Sequence, residues 1–339
     1  MREPDEPDQF KPPPLDVVFT WCDESDPVFQ SDIRRYRTVS QSAEAAGSAR
    51  FRTYDELRYS LRALDMHAPW IRNVILVTND QTPHWLDRGA PGVRVVSHRD
   101  LFEDHSHLPC FNSLAIEMSL HRIPDLSEWF LYFNDDFFIG NTLSPRAFFS
   151  PEGQPLFFVE NYPLPAPRAP WFPGRDEDLM KRCHRYNHRL LRALLPGLQD
   201  ARDPTHTPQL YEREGLRRLA RHWANEIRAT QACRFREPHN TKLAVLYPSF
   251  VAASAEPERR CLQRTIYNGS SEYLFRTVRD RDVDELERWL AEIEAERPNF
   301  FCVNDSVEAP SVAERMLYHY RAMLERMFPR PSRWEQVLP

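Results

Sequence analysis

Two adjacent carboxylates, Asp135 and Asp136, follow the run Trp129-Phe130-Leu131-Tyr132-Phe133-Asn134 and lead into Phe137-Phe138-Ile139-Gly140. An apolar run this rich in Phe and Tyr reads as a strand buried on both faces. Carboxylates inside such a run are costly unless paired with, or bound to, a cation. They are also hard oxygen ligands of the kind that hold Mg²⁺ or Mn²⁺ against phosphate oxygens. A turn between two strands, with Asn134 to Asp136 at its tip, accounts for the same residue types. Two other expected strands also end in acid. Leu15 to Thr20 runs into Trp21-Cys22-Asp23-Glu24-Ser25-Asp26-Pro27, and Phe300 to Val303 runs into Asn304-Asp305. If these strands are parallel neighbours, Asp23, Asp26, Asp135, Asp136 and Asp305 meet at one edge of the sheet. Such a cluster needs a divalent cation, arginine partners, or both.

The chain also offers a base and phosphate clamps. His206 lies between Thr205 and Thr207, with Pro204 and Pro208 beyond them, and falls on no expected helix or strand. Imidazole is the side chain whose ordinary pKa lets it take a proton near neutral pH. Arg234 and Arg236 present guanidinium forks suited to phosphate. Metal on the phosphates, arginine on the developing charge and a base on the attacking hydroxyl make up the parts of phosphoryl transfer from a nucleotide. Further polar candidates are Trp21 in the first acidic loop, Asn79 and Asp80 after the expected strand Asn73 to Thr78, and Arg58 and Arg62 one helical turn apart. A plain turn explains the first loop equally well, and a solvated helix face explains the two arginines. His98, His105 and His107 lack the convergence of a zinc site and read as solvated loop histidines.

These residues must be positioned by a scaffold. Expected strands at Leu15 to Thr20, Asn73 to Thr78, Val93 to Ser97 and the central stretch alternate with helices expected over 32–49, 53–69 and 112–121. That alternation predicts an α/β fold of the Rossmann-like, doubly wound, mainly parallel type, whose ligands bind beyond the C-terminal strand ends. Thr53 and Glu56 have capping-box spacing for the second helix. Residues of about 160–255 read as a helical or lid insertion, with a proline-rich crossing near 161–173. Helices over 283–295 and 313–327 close the fold. The expectation is one catalytic domain over 15–335 after a disordered, acidic, Pro-rich leader at 1–14. A net charge of −6 makes no general case for nucleic acid. Six cysteines without a CxxC pair fit free thiols in a reducing compartment. No apolar run approaches the about 18 residues of a membrane span, and the N-terminus is not a signal peptide. The cytoplasm is the expected location. Nine glycines and no Gly-rich loop leave phosphate binding to side chains.

Taken together, LDVVFTWCDESDP (Leu15 to Pro27), RTYDELRYSLRALDMHAPWIRNVILVTNDQTPHWL (Arg52 to Leu86), HRIPDLSEWFLYFNDDFFIG (His121 to Gly140, continued at Arg234 to Phe250), FFCVND (Phe300 to Asp305) and FPRPSRWE (Phe328 to Glu335) resemble the four conserved regions and the ending of the Stealth family. That family includes the catalytic subunit of N-acetylglucosamine-1-phosphotransferase and bacterial capsule polymerases. The resemblance implies transfer of a hexose-1-phosphate from a nucleotide sugar to an acceptor hydroxyl, with release of a nucleoside monophosphate, in capsule or cell-surface polysaccharide synthesis. It carries over Asn134, Asp135, Asp136, His206, Arg236 and Asp305. The resulting expectation has His206, Arg236, Asp136 and Asp305 in catalysis, His206 serving as base or as nucleophile. Asp135, Asp136 and Asp305 would hold Mg²⁺ or Mn²⁺. Trp21, Asp23, Asp26, Arg58, Arg62, Asn79, Asp80, Asn134, Arg234 and Asn304 would contact substrate. UDP-GlcNAc is the expected donor and a saccharide the acceptor, with peripheral contact at the inner membrane face left open. The chain departs from the family at His206-Thr207-Pro208, where His-Met-Pro is usual, at His239-Asn240, where an acidic pair is usual, and at Ser306, where another acid is common. Two other readings stay open: a metal-dependent glycosyltransferase releasing a nucleoside diphosphate, and a non-catalytic carbohydrate-binding protein on the same fold.

Overall fold

In the computed structural model, which describes residues 10–38, 43–166, 178–198, 201–254, 256 and 259–336, the β-branched run Asp16–Thr20 (β1) lies in the middle of a five-stranded sheet. Along the chain follow α1 (Pro27–Tyr36), α2 (Ala43–Ala46), α3 (Glu56–His67), β2 (Val74–Thr78), β3 (Val93–Ser97), α4 (His98–Leu101), α5 (Ser113–Glu117), β4 (Trp129–Asn134), β5 (Phe137–Ile139) and β6 (Leu156–Pro163). Then come α6 (Leu179–Leu194), β7 (Arg202–Pro204), β8 (Gln209–Glu212), α7 (Arg213–His222), α8 (Ala224–Gln231), α9 (Leu243–Ser254), β9 (Leu262–Thr265), β10 (Tyr273–Val278), α10 (Leu286–Glu296), β11 (Phe300–Asp305) and α11 (Pro310–Met327). The main sheet has the order β3-β2-β1-β4-β8. Its first four strands are parallel, and β8 runs antiparallel against β4. This is the mainly parallel Rossmann-like sheet the alternation predicts. Strands step outward from β1 to β3, and the chain then crosses back to lay β4 on the other side of β1. Such a reversal opens a crevice beyond the C-terminal strand ends.

Period-2 alternation fixes what the sheet buries. Val18, Ile75, Val77, Phe130 and Tyr132 face one apolar cluster, which takes in Ile116 of α5, Leu216 of α7, Ile227 of α8 and Leu246 of α9. Val17, Phe19, Val74, Leu76, Leu131 and Phe133 face the other, closed by Leu57, Leu61 and Leu64 of α3. Both faces are therefore covered, as parallel sheets require. Each such side chain contributes about 1.5–3 kcal/mol when fully buried, which makes the strand ends a rigid platform. At the opposite end of β1, the fully buried Asp16 accepts from Arg72 Nε at 2.9 Å, Arg72 Nη2 at 2.8 Å, Asn73 Nδ2 at 2.9 Å and the Ser127 amide at 2.8 Å.

The central stretch is not one strand. β4 belongs to the main sheet, the chain turns at Asp135 and Asp136, and β5 joins a second sheet of order β10-β11-β5. The turn alternative is the one adopted. Both halves are apolar enough to be central, and periodicity does not mark where a strand changes sheet. A third sheet, β7-β6-β9, contains strands outside the expected elements, as does β10 in the second. The insertion is thus partly β, and β8 within it completes the main sheet. The helix expected from 32 begins at Pro27, where Asp26 Oδ1 accepts from the Phe29 amide at 2.8 Å and proline occupies the first turn. Thr53 does not cap α3. The residue before that helix is Asp55, left-handed at φ 67°, and Glu56 turns back to accept from Thr53 Oγ1 at 3.2 Å and from the Tyr54 amide. Within the insertion, α7 and α8 are separate helices that meet at Trp223. Of the expected leader, Phe10 packs its ring on Phe149 with centroids 5.1 Å apart. Residues 1–9 lie outside the described residues, as do 167–177 of the proline-rich crossing.

Candidate active site

The crevice at the strand-order reversal is an open cavity of about 1030 Å³ when measured out into the solvent at its mouth. Three strand ends reach it: Thr20 to Cys22 after β1, Asn134 to Asp136 after β4, and Asn304 and Asp305 on β11. β1 and β4 are parallel neighbours with Thr20 opposite Asn134. Thr20 Oγ1 lies 2.9 Å from the Tyr132 hydroxyl, which donates to Asn134 Oδ1 at 2.8 Å and fixes that amide. β11 is not a neighbour in the same sheet. It arrives from the second sheet, to which the chain crosses through the Asp135–Asp136 turn itself.

Three arginines line this cavity: Arg52, which is paired with Asp305, and Arg50 and Arg236. Each adjoins in sequence a ring of one aromatic cluster. Phe51 meets Phe29 at 5.7 Å and Phe111 at 6.4 Å, and Phe235 stacks on Phe111 at 5.0 Å. Asn112 Nδ2 donates to the Phe235 carbonyl at 3.3 Å and to Asn240 Oδ1 at 2.9 Å, pinning the loop that carries Arg236. Arg236 Nη2 donates to Ser113 Oγ at 2.7 Å, while its Nε is buried without a partner. Among the described residues no carboxylate is ion-paired to Arg50 or Arg236. Burial, and after it the charge of Arg236, lowers the Arg50 pKa to about 9, and burial lowers that of Arg236. Both stay charged at neutral pH. Two unneutralised guanidinium groups in one cavity form a site for a polyanion.

The acids beside them are shifted the other way. Burial raises both Asp135 and Asp136, the charge of Asp136 raises Asp135 further, and Arg50 opposes the shift in both. The Cys302 thiol donates to Asp136 Oδ2 at 3.3 Å. Glu56 is held well above the usual carboxylate range by burial and then by Asp135. Glu117, behind Arg236, is pushed up to about 7 by burial. Asp305 also lines the cavity, but its oxygens are engaged: Oδ2 accepts from Arg52 Nη1 at 2.6 Å and the Tyr54 hydroxyl at 3.0 Å, and Oδ1 from the Val307 amide at 2.8 Å. Among the described residues no three His, Cys, Asp or Glu side chains gather closely enough to cage a metal on protein ligands alone. Asp135 and Asp136 have the chemistry of the other kind of site, in which one or two carboxylates share Mg²⁺ with substrate phosphates.

His206 does not itself line the cavity; it lies in the tight link from β7 to β8. Its ring stacks on Phe275 at 4.0 Å and 7°, and meets Phe137, the residue after Asp136, edge-on at 6.4 Å. Its amide donates to the Tyr273 hydroxyl at 3.0 Å. Burial, then the charges of Lys242 and Arg236, lowers its pKa to about 3, so the imidazole is neutral at physiological pH.

The other sequence candidates divide. Trp21, Asn134 and Asn304 line the cavity. Asp23 folds back on Ser25, accepting from its amide at 2.8 Å and its hydroxyl at 2.6 Å, and Asp26 caps α1. Asp80 accepts from Ser97 Oγ at 2.5 Å and from Arg99 Nε at 3.3 Å on the surface; neither it nor Asn79 lines the cavity. Arg58 and Arg62 are not a solvated face. Arg58 Nε donates to Glu335 Oε2 at 2.6 Å, and Arg62 grips the same buried carboxylate through Nε at 2.6 Å and Nη2 at 2.8 Å. Arg234 donates to the carbonyls of Ser106 at 2.6 Å and Leu108 at 3.0 Å, with its guanidinium 4.5 Å from the centroid of Tyr36. His98, expected in solvent, is 4% exposed and lines the cavity, where burial lowers its pKa to about 4. Sequence reasoning missed Arg50, Arg52 and Lys242, and took Glu56 for a cap only.

The order of the sheet and the place of the cavity put the chain among Rossmann-like α/β proteins that take their ligand at a strand-order reversal. Family models sharpen this: Stealth protein conserved region 2 matches residues 50–157, region 3 matches 205–253 and region 4 matches 291–338. The chain belongs to the Stealth family. The stretch 121–140, assigned above to the third region, falls within the span matched by the second; the third holds His206 and Arg236. Similar curated proteins include an exopolysaccharide phosphotransferase of Streptomyces coelicolor, 35% identical over 95% of this chain and 52% of its own length, and the exopolysaccharide phosphotransferase CpsY of Mycobacterium leprae, 33% identical over 95% of this chain and 57% of its own. The chain thus spans about half the length of these relatives. Among solved structures, a complex of the galactosyltransferase LgtC with donor and acceptor sugar analogs aligns over 94% of this chain and 99% of its own, at 10% identity and a TM-score of 0.41. No helix of the described residues is long and apolar enough to cross a membrane.

Proposed function

We propose that the chain transfers a hexose-1-phosphate, N-acetylglucosamine-1-phosphate being the first to test, from a nucleotide sugar to a saccharide hydroxyl, in the synthesis of an exopolysaccharide. The observation that carries this reading is the pair Arg50 and Arg236, both charged and unpaired with any carboxylate among the described residues, facing the same cavity as Asp135 and Asp136. A nucleoside diphosphate supplies the missing negative charge. The two arginines bind its phosphates and stabilise charge that develops at the leaving oxygen. Asp135 and Asp136 would hold Mg²⁺ or Mn²⁺, which when bound neutralises the diphosphate. Asp305 serves this site by holding Arg52, which lines the cavity, against the buried Tyr54. His206, kept neutral, takes the acceptor proton. The acceptor oxygen bonds to the phosphorus that bears the sugar, the bond from that phosphorus to the bridging oxygen breaks, and its electron pair leaves on the nucleoside monophosphate. The names of the relatives support the same class of activity.

Identification of the nucleotide released in the presence of UDP-GlcNAc, an oligosaccharide acceptor and Mg²⁺ tests this reading. UMP is expected. Release of UDP would instead mean that the anomeric C–O bond is cut, as in an ordinary metal-dependent glycosyltransferase. Binding without turnover for every nucleotide sugar tried would make the chain a carbohydrate-binding protein.

A further inference from the structure

His98 follows β3 directly, and its ring lines the cavity at 4% exposure. Its Nδ1 is buried without a partner, and among the described residues no hydrogen bond reaches the other ring nitrogen. Phe102, four positions on, offers only a ring at 6.3 Å. The nearby Asp80 carboxylate is taken up by Ser97 Oγ at 2.5 Å and Arg99 Nε at 3.3 Å. With the imidazole neutral, one nitrogen donates and the other accepts. A buried polar group left unpaired in this way is uncommon in a folded protein and calls for a partner that the chain does not supply. Cys110 and Ile116, which share an apolar cluster with Leu101 and Phe102, line the cavity as well. An apolar wall with one free polar group suits a flat heterocycle.

The strand order fixes which part of a donor reaches this wall. β3, β2, β1 and β4 run parallel, and their register sets Val96, Val77, Thr20 and Asn134 in one row. His98 stands two residues beyond that row on β3, and Asp135 one residue beyond it on β4. Three strand spacings separate the two ends, about 14 Å. β8 lies on the other side of β4 with Gln209 opposite Tyr132, so the link that carries His206 emerges at the same edge of the sheet. Across that edge the order is His98, then the end of β1, then the acids, then His206. Attack and departure at phosphorus lie roughly in line. An acceptor oxygen that gives its proton to His206 comes from the β8 side, so the leaving nucleoside monophosphate points toward β3.

We propose that His98 is the nucleobase-binding residue of the donor site, a ring nitrogen meeting the polar edge of the base beside Cys110 and Ile116. The proposal rests on the reading of the cavity as a nucleotide-sugar site and of His206 as the base. The phosphates stay with Arg50, Arg236 and the acids, and the nucleobase lies one nucleoside's length away. An imidazole keeps its outline when turned over by half a revolution. With neither nitrogen tied, the ring can therefore present nitrogen to the cavity without disturbing its neighbours. A site built to bond a group rejects the analogue that lacks it far more strongly than a purely apolar site does. His98 thus makes the protein choose a nucleotide over other phosphorylated sugars.

The test is calorimetric titration of the full chain, with Mg²⁺ present, by UMP, CMP, GMP and ribose 5-phosphate, which carries the same phosphate and pentose without a base. Wild type should bind one of the nucleotides more tightly than ribose 5-phosphate. His98→Phe, which keeps a ring and drops both nitrogens, should weaken that nucleotide about 10- to 100-fold and leave ribose 5-phosphate unchanged. His98→Asn, which restores a polar atom near the position of Nδ1, should recover part of the loss. Equal affinity for the nucleotide in His98→Phe and wild type overturns the proposal. So does an equal loss for nucleotide and ribose 5-phosphate, which would give His98 a role in the fold or at the ribose. If His98→Phe does not fold, the His98 imidazole signal of wild type decides by NMR. It should move on addition of the nucleotide and stay on addition of ribose 5-phosphate; a signal that moves with both or with neither overturns the proposal. A wild type that binds all four alike removes the base contact but leaves the transfer reading standing. A wild type that responds to none of the four removes the nucleotide reading and the proposal together.

Discussion

Replacing Arg50 with methionine should make the unliganded protein more stable and abolish its response to a nucleotide sugar. Burial and the nearby Arg236 hold the Arg50 pKa at about 9 instead of 12.5. At about 1.36 kcal/mol per pKa unit, carrying that charge in the folded state costs at most about 4–5 kcal/mol. The side chain keeps some contact with water, and the variant also loses attraction to Asp135 and Asp136, so the net gain should be about 1–2 kcal/mol. The sign is fixed at neutral pH. Arg50 is protonated in folded and unfolded chains alike below pH about 9, so the penalty is present in full there, and wild type recovers it only as pH rises toward 12.5. Thermal unfolding at pH 7.5 should show the variant melting about 2–5 °C higher. The same melts with Mg²⁺ and a nucleotide sugar at about 100 times Kd should stabilise wild type by about 2.7 kcal/mol and the variant by nothing measurable. A variant that melts below wild type without ligand, or that keeps the ligand-induced shift, refutes the assignment of Arg50 to the phosphate site.

Other substitutions address the remaining parts. His206→Ala should keep donor binding, measured by thermal shift, and lose about 10²-fold or more in kcat; a wild-type rate would move the base elsewhere. His239 is a poor substitute, because it lies exposed beside Cys233. Arg236→Lys should lower kcat by about 10²-fold, since one ammonium cannot both bond Ser113 and fork a phosphate. Excess EDTA should stop turnover, and Mg²⁺ should raise the melting temperature more at pH 8 than at pH 5.5. Asp135 and Asp136 have folded pKa values raised above their unfolded ones, so their contribution is most favourable below the ordinary carboxylate range and is lost as pH rises through the raised values, where a cation replaces the proton. A metal effect that shrinks with pH would count against these ligands. Glu335→Ala strands Arg58 and Arg62 and should cost about 3 kcal/mol in a urea titration, the low end for a broken buried pair because Arg58 is 25% exposed; an unchanged midpoint would show that the clamp adds nothing.

The sequence was most legible where a residue type and its spacing carry one meaning. β1, β2 and β3 are short β-branched runs bounded by turn residues, and all three stand where the pattern puts them. The acids of the central stretch were legible for the same reason, since Asp-Asp amid aromatic residues has few physical explanations. Helix starts were less so. The Asp26-Pro27 signal that begins α1 was read as loop, because the acidic residues around it suggested a ligand site. Charged residues were hardest to judge. Arg58 and Arg62 look the same in sequence as Arg50 and Arg52, yet the first pair clamps a buried carboxylate and the second faces the cavity. The difference is made by partners hundreds of positions away, and a local pattern holds no trace of them. Lys242 falls within the Arg234 to Phe250 stretch, but its partner His184 is 58 positions away, and no local pattern shows that contact. His98 shows the opposite error. A polar neighbourhood in sequence suggested solvent, whereas the fold buries that ring.

The clamp on Glu335 also sets a schedule. Arg58 and Glu335 are 277 positions apart, a distance a ribosome covers in roughly 14–55 s at about 5–20 residues per second. From the addition of Arg236 onward the growing chain contains the acid turn, Arg50, Arg236 and Glu56, but the helix that presents Glu56 has nothing to lock its two inner cations. A polypeptide abandoned part-way would hold most of the charged residues that line the cavity and lack the fastening that sets them in register. Donor-induced thermal shifts of chains cut between Phe328 and Glu335 would date the moment of competence during synthesis, which this contact places after the decoding of Glu335.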